Sequence, residues 1–285
     1  MTIAMRTLVH LSDLHFGRAD ASLLDPLVTM VQSLAPDLIA VSGDLTQRAR
    51  TSQFKAARAF LDRLPIPQII VPGNHDVPLY DVVTRFARPL ARYRRYITDD
   101  LEPWFIDEEI AVLGINTARA LTFKHGRINE AQIDRMQERL CSLPRSMTKV
   151  IVTHHPFDLP IGYGAGELVG RAALAREWLS ACECDVLLAG HLHLGGAGEG
   201  SLRRGALGHE PLIVQAGTAT STRGRGESNS FNVIAIEPKH IEVSRWSWRV
   251  ADGVFEASGS ERCERTDAGW KHQRAHSISS HQPAG

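Results

Sequence analysis

The first third of the chain repeats one pattern three times, and this repeat limits the possible folds more than any other feature. Short apolar runs at residues 8–12, 38–42 and 69–71 are each followed, within two residues, by Asp or Gly and then by polar residues. Helical patterns at residues 21–34 and 51–64 separate the runs. Asp13, Asp44 and Asn74 follow the three runs at intervals of 31 and 30 residues, which is the length of one βαβ unit. The repeat therefore predicts parallel strands that are buried on both faces.

The rest of the chain changes from this alternation to consecutive strands. Residues 78–96 have a helical period, and we expect them to pack over one edge of the sheet. The other predicted elements are strands at 110–116, 150–153 and 186–189, helices at 129–143 (capped by Asn129) and 171–181, a Gly-rich loop at 195–208, and antiparallel strands at 212–215, 231–236 and 241–248. We expect one domain over residues 5–250 and a disordered tail over residues 257–285, where apolar residues are few.

Composition excludes several classes of protein. The 285 residues contain 32 Lys or Arg and 32 Asp or Glu, so the formal net charge is zero, which argues against a protein that holds a long nucleic acid. No apolar run reaches the length of a membrane span, and the first residues lack the pattern of a signal peptide. The four cysteines show neither a paired motif nor a framework spacing, so we expect reduced thiols near helix ends and a cytoplasmic protein without a membrane partner.

Thirteen histidines stand out in this composition, and several of them belong to five short polar segments that directly follow predicted strands. The segments are Asp13-Leu14-His15, Gly43-Asp44, Gly73-Asn74-His75-Asp76, His154-His155 and Gly190-His191-Leu192-His193. Because the carboxyl ends of parallel strands meet at one edge of a sheet, we expect these segments to converge there.

Carboxylate, amide and imidazole side chains without thiolates favour Mn, Fe, Zn or Co over Ca or a structural zinc. The set is large enough for two ions, and two adjacent ions form the clamp that is used for phosphoryl transfer. Any one of these residues taken alone has an ordinary interpretation, such as a helix N-cap for Asp44 or a hydrogen-bonded core residue for a buried histidine. The ordinary interpretations would have to hold at all seven candidate ligand positions at once, so the set as a whole favours the metal interpretation.

The order D-L-H, G-D-L-T, G-N-H-D, H-H-P and G-H-L-H resembles that of the calcineurin-like metallophosphoesterases. Among them, the bacterial class III cyclic-nucleotide phosphodiesterases are the most similar branch. The resemblance covers residues 8–248 with all five motifs in order. It implies an α/β fold with two mixed β-sheets flanked by helices, a four-layer αββα sandwich, with a dinuclear metal site at the strand ends.

Carried over motif by motif, the resemblance implies a role for each site residue. Asp13, His15 and His193 would hold one ion. Asn74, His154 and His191 would hold the second, and Asp44 would bridge both. His75 would face the substrate phosphate together with Asn74, as general acid or transition-state stabiliser. Asp76 would orient His75, or else play a structural part.

Two groups of residues beside the motifs keep open roles. His155 points the other way along its strand end, so we expect it to pack beside the site or support a ligand. Several arginines lie in loops that could reach the site mouth, with phosphate contact and plain solvation equally open; they are Arg18, Arg48, Arg171, Arg223 and Arg225. Arg223 is the one we include among the substrate-binding candidates.

The resulting hypothesis is metal-dependent hydrolysis of a small phosphodiester by a hydroxide that bridges two ions, and a cyclic nucleotide is among the candidate substrates. Mn and Fe are the expected ions, and Zn and Co are the alternatives. The alternatives are a broad-specificity phosphomonoesterase on the same site, and a non-catalytic metal-binding scaffold, which the complete ligand set argues against. Residues 77–107 and 162–170 are expected to form the walls that select the substrate, and a homodimer is possible by analogy with the family.

Overall fold

The computed structural model describes residues 5–159, 168–199, 209–222 and 226–272. Its elements in chain order are β1 (Arg6–Leu11), α1 (Ala21–Ser33), β2 (Leu38–Val41), α2 (Thr51–Leu61), β3 (Gln68–Ile70), a 3-10 turn (Asn74–Asp76), α3 (Val82–Ala87), α4 (Ala91–Tyr96), β4 (Trp104–Ile106), β5 (Ile110–Ile115), α5 (Glu130–Leu140), β6 (Thr148–Thr153), α6 (Ala172–Ala181), β7 (Val186–Ala189), β8 (Gly196–Glu199), β9 (Leu212–Gln215), β10 (Ser230–Ile236), β11 (His240–Arg249), β12 (Val254–Thr266) and β13 (Gly269–His272).

Two mixed sheets form the centre of the molecule. The first has the order β13-β12-β11-β10-β1-β2-β3, in which β1, β2 and β3 are parallel and the remaining strands pair antiparallel. The second has the order β4-β5-β6-β7-β9-β8, in which β5, β6, β7 and β9 are parallel. The predicted parallel start and antiparallel finish are thus confirmed.

Alternating side chains of the strands explain why the sheets are buried on both faces. In β1, Leu8 packs into the apolar layer between the two sheets, whereas Val9 and Leu11 pack against α1 and α2 on the outside. In β6, Val150 and Val152 face the layer between the sheets, and Ile151 faces α5 and α6. The result is the predicted four-layer sandwich with helices on both outer faces.

Local signals fix several helix ends where the sequence predicts them. The side chain of Asn129 accepts a hydrogen bond from the backbone N–H of Gln132 at 2.9 Å and caps α5. Pro89 separates the helical stretch at 78–96 into α3 and α4, because proline cannot donate the backbone hydrogen bond that continues a helix. None of the helices in the described ranges has both the length and the apolar character that crossing a bilayer requires.

The expectation of a disordered tail from residue 257 is wrong for residues 257–272, which belong to β12 and β13. The stretch has few apolar residues, but two of them, Cys263 and Trp270, are buried in the layer between the sheets. The indole N–H of Trp270 also donates to Asp185 at 2.9 Å. β12 pairs with β11 from Val254 to Glu264, and its end pairs with β13, so the backbone ladder compensates for weak apolar patterning. Residues 273–285 lie outside the described residues.

The prediction of reduced thiols is also wrong for one pair of cysteines. Cys141 and Cys182 cap the C-terminal ends of α5 and α6, as the sequence suggested, and a disulfide joins them with their Cα atoms 4.4 Å apart. Cys184 and Cys263 are free and buried. The sequence spacing of 41 residues gave no sign of the pair, because the two helices become neighbours only by packing on the same sheet.

Candidate metal centre

The five polar segments meet at the carboxyl ends of β1, β2, β3, β6 and β7, where the edges of both sheets come together. Backbone hydrogen bonds join the segments directly: Asp13 N–H donates to Gly43 at 3.1 Å, and Gly190 N–H donates to His154 at 3.1 Å. Five residues that follow these strands adopt left-handed backbone conformations with φ between 48° and 73°: Asp13, His15, Asp44, His191 and His193. Such strain is tolerated where the surroundings hold it and is concentrated at functional sites.

One group of four side chains brings its ligand atoms together in the interior. His193 Nε2 lies 3.1 Å from Asp13 Oδ1 and 3.2 Å from His15 Nε2. His15 Nε2 is also 3.5 Å from Asp13 Oδ1 and 3.7 Å from Asp44 Oδ2. All four side chains are buried, and together they could hold a metal ion.

A second group faces the other oxygen of Asp44. His154 Nε2 lies 3.4 Å from Asp44 Oδ1 and 3.1 Å from Asn74 Oδ1. His191 Nδ1 lies 3.2 Å from the same Asn74 oxygen. Asp44 therefore offers one carboxylate oxygen to each group, which is the arrangement that a ligand shared by two ions requires.

The spacing of these atoms matches a coordination sphere. Ligands at about 2.1 Å from an ion, with angles between 90° and 120°, lie about 3.0–3.6 Å from one another. The separations above run from 3.1 to 3.7 Å. In the first group, two imidazole nitrogens and carboxylate oxygens converge on one point, and a cation there would interact with all of them. Divalent ions thus fit the donor set.

Neighbouring groups orient the ligands. His154 Nδ1 lies 2.7 Å from the carbonyl oxygen of Ser42 and donates to it, which leaves Nε2 with the lone pair that a metal needs. Asp13 Oδ2 accepts from the Ser12 hydroxyl at 2.7 Å and from the backbone N–H of His191 at 3.1 Å. Ser12 was not singled out from the sequence, although its position directly before Asp13 was the available signal.

The electrostatics of the site favour a cation. Burial alone would raise the pKa of Asp13, but its hydrogen bonds to His15 and His193 hold that pKa well below the ordinary value. Burial would likewise lower the pKa of His154, yet the charge of Asp44, its hydrogen bond to the ring and the charge of Asp13 together outweigh burial and raise the pKa to about 9. The negative potential that favours a proton on His154 equally favours a metal ion in place of that proton.

His75 lies at the rim of the site with a fixed ring orientation. Its Nδ1 donates to the carbonyl oxygen of Gln47 at 3.0 Å, so Nε2 faces inward, 4.0 Å from Asp44 Oδ2. Its backbone N–H donates to Asp44 Oδ1 at 2.8 Å. Arg48 lies beside the ring, with Nη1 3.3 Å from His75 Nδ1. The role of Gln47 could not be found from the sequence, because it acts through its backbone.

The carboxylate of Asp76 holds the turn after β3, which supports the structural one of the two roles that the resemblance left open for it. It accepts hydrogen bonds from the backbone N–H groups of Leu45, Thr46 and Gly73 at 2.9–3.1 Å. Burial and the nearby charge of Asp44 raise its pKa to about 6, against the opposing effect of these bonds.

The remaining site candidates are His155, which lies beside the two groups, and arginines of the surrounding loops. His155 is buried with Nδ1 2.8 Å from the Thr117 hydroxyl and Nε2 2.9 Å from the carbonyl oxygen of Lys124. Its ring lies 4.7 Å from that of His191, so it packs against one of the expected ligands. Arg171 forms an ion pair with Glu130 at 3.3 Å. Arg223 and Arg225 lie outside the described residues, as do residues 162–167 of the wall predicted at 162–170.

A family model for the calcineurin-like phosphoesterases matches residues 6–195, which includes every residue of the two groups. The chain belongs to this family. The resemblance of the five motifs is thereby confirmed. Members of this family use divalent metal ions, in agreement with the two groups of side chains.

Curated relatives include two bacterial phosphodiesterases. The chain is 27% identical over 175 residues to the glycerophosphodiester phosphodiesterase GpdQ of Enterobacter lignolyticus, covering 54% of this chain and 58% of that protein. It is 26% identical over 168 residues to the 3′,5′-cyclic adenosine monophosphate phosphodiesterase CpdA of Escherichia coli, covering 55% of this chain and 54% of that protein. The chain thus matches little more than half the length of these relatives.

Solved structures show the same fold at low sequence identity. A purple acid phosphatase from yellow lupin superimposes with a TM-score of 0.68 and 13% identity, over 92% of this chain and 54% of that one. A dimetal phosphatase from Danio rerio superimposes with a TM-score of 0.62 and 13% identity, over 84% of this chain and 95% of that one. These similarities support the sandwich architecture of the family.

Proposed function

We propose that the protein is a metal-dependent phosphodiesterase that hydrolyses small phosphodiesters, with a cyclic nucleotide among the candidates. The observation that carries the proposal is the position of Asp44, whose two oxygens each face one group of ligand atoms at 3.4 and 3.7 Å. Family membership and the names of the relatives GpdQ and CpdA support phosphodiester chemistry. The chain aligns with only part of those relatives, so the activity of the whole protein is part of the proposal.

In this proposal Asp13, His15 and His193 hold one ion, Asn74, His154 and His191 hold the other, and Asp44 is shared. We infer Mn or Fe as the bound metals, with Zn or Co as substitutes, because the donors are oxygen and imidazole nitrogen. When bound, the two ions would polarise the phosphoryl oxygens and lower the pKa of a water between them.

The substrate would approach through the half-buried side of the site. Asn74 and His75 are partly exposed, whereas the other members of the two groups are buried. Since Nδ1 of His75 donates to Gln47, its Nε2 is the atom that can reach a substrate oxygen. In the protonated state Nε2 would donate to the leaving oxygen as the ester bond breaks.

The decisive test of this proposal replaces the shared carboxylate. We expect Asp44→Asn to lose at least about a hundredfold in kcat for bis(p-nitrophenyl) phosphate, because one ligand charge facing both groups disappears. Asp252→Asn is the matched control, since Asp252 is an exposed carboxylate paired with Arg249. Retained activity in Asp44→Asn, measured after metal removal and reloading, would refute the assignment.

A substrate panel separates the diesterase from the monoesterase alternative. The Mn-loaded protein would be assayed with 3′,5′-cyclic AMP, a glycerophosphodiester and p-nitrophenyl phosphate under the same conditions. We expect higher kcat/KM on at least one diester than on the monoester. Faster hydrolysis of the monoester would favour the phosphomonoesterase, and the absence of turnover on every substrate would favour the scaffold.

The cytoplasmic location and the homodimer remain predictions. Cell fractionation with thiol labelling of the native protein would test the location. Sedimentation analysis would test the oligomeric state.

A further inference from the structure

Six large apolar side chains are exposed on two neighbouring segments, one that includes α3 and one at residues 120–124. Their exposed fractions run from 52% to 81%. We call this surface the mouth patch, and its members are Tyr80, Val82, Val83, Phe86, Leu121 and Phe123. Single exposed apolar residues are ordinary, but a group of six on adjoining elements marks an interaction surface.

Arg85 joins the two segments into one surface. Its buried side chain donates to the carbonyl oxygens of Ala120 and Pro78, both at 2.8 Å. Its guanidinium also lies 4.1 Å from the centre of the Phe123 ring. The contacts of Arg85 therefore hold the two segments of the mouth patch in a fixed position relative to each other.

The mouth patch is attached to the metal centre on both sides. Arg48 lies over the ring of Tyr80 at 5.8 Å and next to Nδ1 of His75 at 3.3 Å. On the other side, the carbonyl oxygen of Lys124 accepts from His155, whose ring packs on His191. The apolar surface thus borders the opening through which a substrate would reach the site.

The charge around the mouth patch differs sharply from the balance of the whole chain. Residues 77–98 and 117–129 contain eight Arg or Lys and one acidic residue, Asp81. Asp81 is neutralised by Arg92 at 2.8 Å. The exposed bases along these stretches are Arg88, Arg94, Arg95, Lys124 and Arg127. With Asp99, Asp100 and Glu130, which directly follow the two stretches, residues 77–100 and 117–130 contain eight basic and four acidic residues, so the surroundings of the mouth patch are net basic.

We propose that the mouth patch docks on the surface of an anionic lipid bilayer. Protruding apolar side chains accompanied by Lys and Arg are the combination that binds the interface of a negatively charged membrane. A second copy of the chain fits less well, because a twofold contact would bring the same basic surface against itself. The expectation of no membrane partner rested on the lack of a spanning segment, and peripheral docking requires none.

Docking in this orientation has a consequence for the substrate. The opening of the metal centre would face the headgroup layer, where phosphodiesters are abundant. This consequence rests on the proposed function, whereas docking itself does not. Vesicle binding and hydrolysis can therefore fail independently of each other.

The experiment measures co-sedimentation of the metal-loaded protein with vesicles. We expect binding to vesicles of phosphatidylcholine mixed with phosphatidylglycerol, little binding to phosphatidylcholine alone, and weaker binding as salt is added. The double variant Val83→Asn/Phe86→Asn should bind at least about tenfold more weakly, because two apolar side chains no longer enter the interface. The matched control is Ile66→Asn, because Ile66 lies two residues before β3, at the opposite end of that strand from Asn74, and has a similar exposed fraction.

Two further measurements make the result unambiguous. Asp44→Asn should bind the vesicles as the wild type does, which separates docking from catalysis. Circular dichroism should show that the double variant is folded. Absence of binding to the anionic vesicles at low salt, or equal binding by the wild type and the double variant, would overturn the proposal. A dimer that the double variant dissociates would overturn it as well, since it would assign the mouth patch to self-association.

Discussion

Substitution of Gly73 by alanine tests how strictly the metal centre depends on the position of Asp44, because Gly73 lies between β3 and Asn74 where there is no room for a side chain. A Cβ atom added at Gly73 would lie 2.1 Å from Oδ1 of Asp44 and 2.3 Å from its backbone nitrogen. The backbone of Gly73 is extended, with φ of −103° and ψ of −178°. Alanine adopts such a conformation freely, so Gly73→Ala acts through space alone.

The size of the effect follows from these distances. Real Cβ atoms essentially never lie within 3.0 Å of such neighbours, so Oδ1 of Asp44 must move by about 0.9 Å, the difference between 3.0 and 2.1 Å. The clash includes the backbone nitrogen, so a rotation of the Asp44 side chain cannot relieve it. A displacement of about 1 Å in a reacting site costs about a hundredfold in rate. Overpacking of this kind also costs about 1–3 kcal/mol of unfolding free energy.

The assay compares kcat/KM for bis(p-nitrophenyl) phosphate and the thermal midpoint of the variant with those of the wild type. We expect a loss of about a hundredfold in kcat/KM and a fall in Tm of about 2–10 °C. Gly259→Ala is the control, because a Cβ at Gly259 would meet nothing within 4 Å. If Gly73→Ala kept its activity within a factor of about two, the position of Asp44 would not matter as we argue.

Three other predictions address stability. Burial lowers the pKa of His10 to about 3, so below pH 6.5 the histidine takes up a proton only in the unfolded chain, and the free energy of unfolding decreases as the pH is lowered. In urea titrations between about pH 7.5 and about pH 5, His10→Asn should lose about 2 kcal/mol less unfolding free energy than the wild type. An equal loss in both proteins would contradict the low pKa. Chelation of both metals should lower the unfolding free energy by about 5.4 kcal/mol, about 2.7 kcal/mol for each ion, if each is normally present at a hundred times its Kd; an unchanged Tm after dialysis against EDTA would count against bound ions. Trp270→Ala should cost about 3–5 kcal/mol, because the indole is buried and bonded to Asp185; a wild-type urea midpoint would restore the interpretation of residues 257–272 as a loose tail.

The convergence of the five segments was predictable because the sequence information that decides it is local. Each motif directly follows an apolar strand, and parallel strands bring their carboxyl ends to one edge, so Asp13, Asp44 and His154 were placed together without knowledge of distances. The sequence could not predict which ring nitrogen of His75 donates to the protein and which one faces the site. It depends on the carbonyl oxygen of Gln47, which any residue type would supply.

The errors arose where packing between distant segments decides the outcome. Cys141 and Cys182 meet because α5 and α6 cover the same sheet, and single-sequence spacing does not report such neighbours. Residues 257–272 form strands because β11 offers an edge and Trp270 fills the layer between the sheets. The α3 part of the mouth patch lies in the stretch that was expected as a substrate wall, whereas Leu121 and Phe123 lie outside both predicted walls, since exposure is a property of the folded surface.

The central claim is that one shared carboxylate organises two ions into a phosphodiesterase site. The most direct measurement determines Mn bound per chain and the rate of bis(p-nitrophenyl) phosphate hydrolysis in the same samples during a titration of metal-free protein. We predict about two ions per chain at saturation and a rate that rises mainly as the second ion binds. Full activity with one ion per chain or with none would contradict the account.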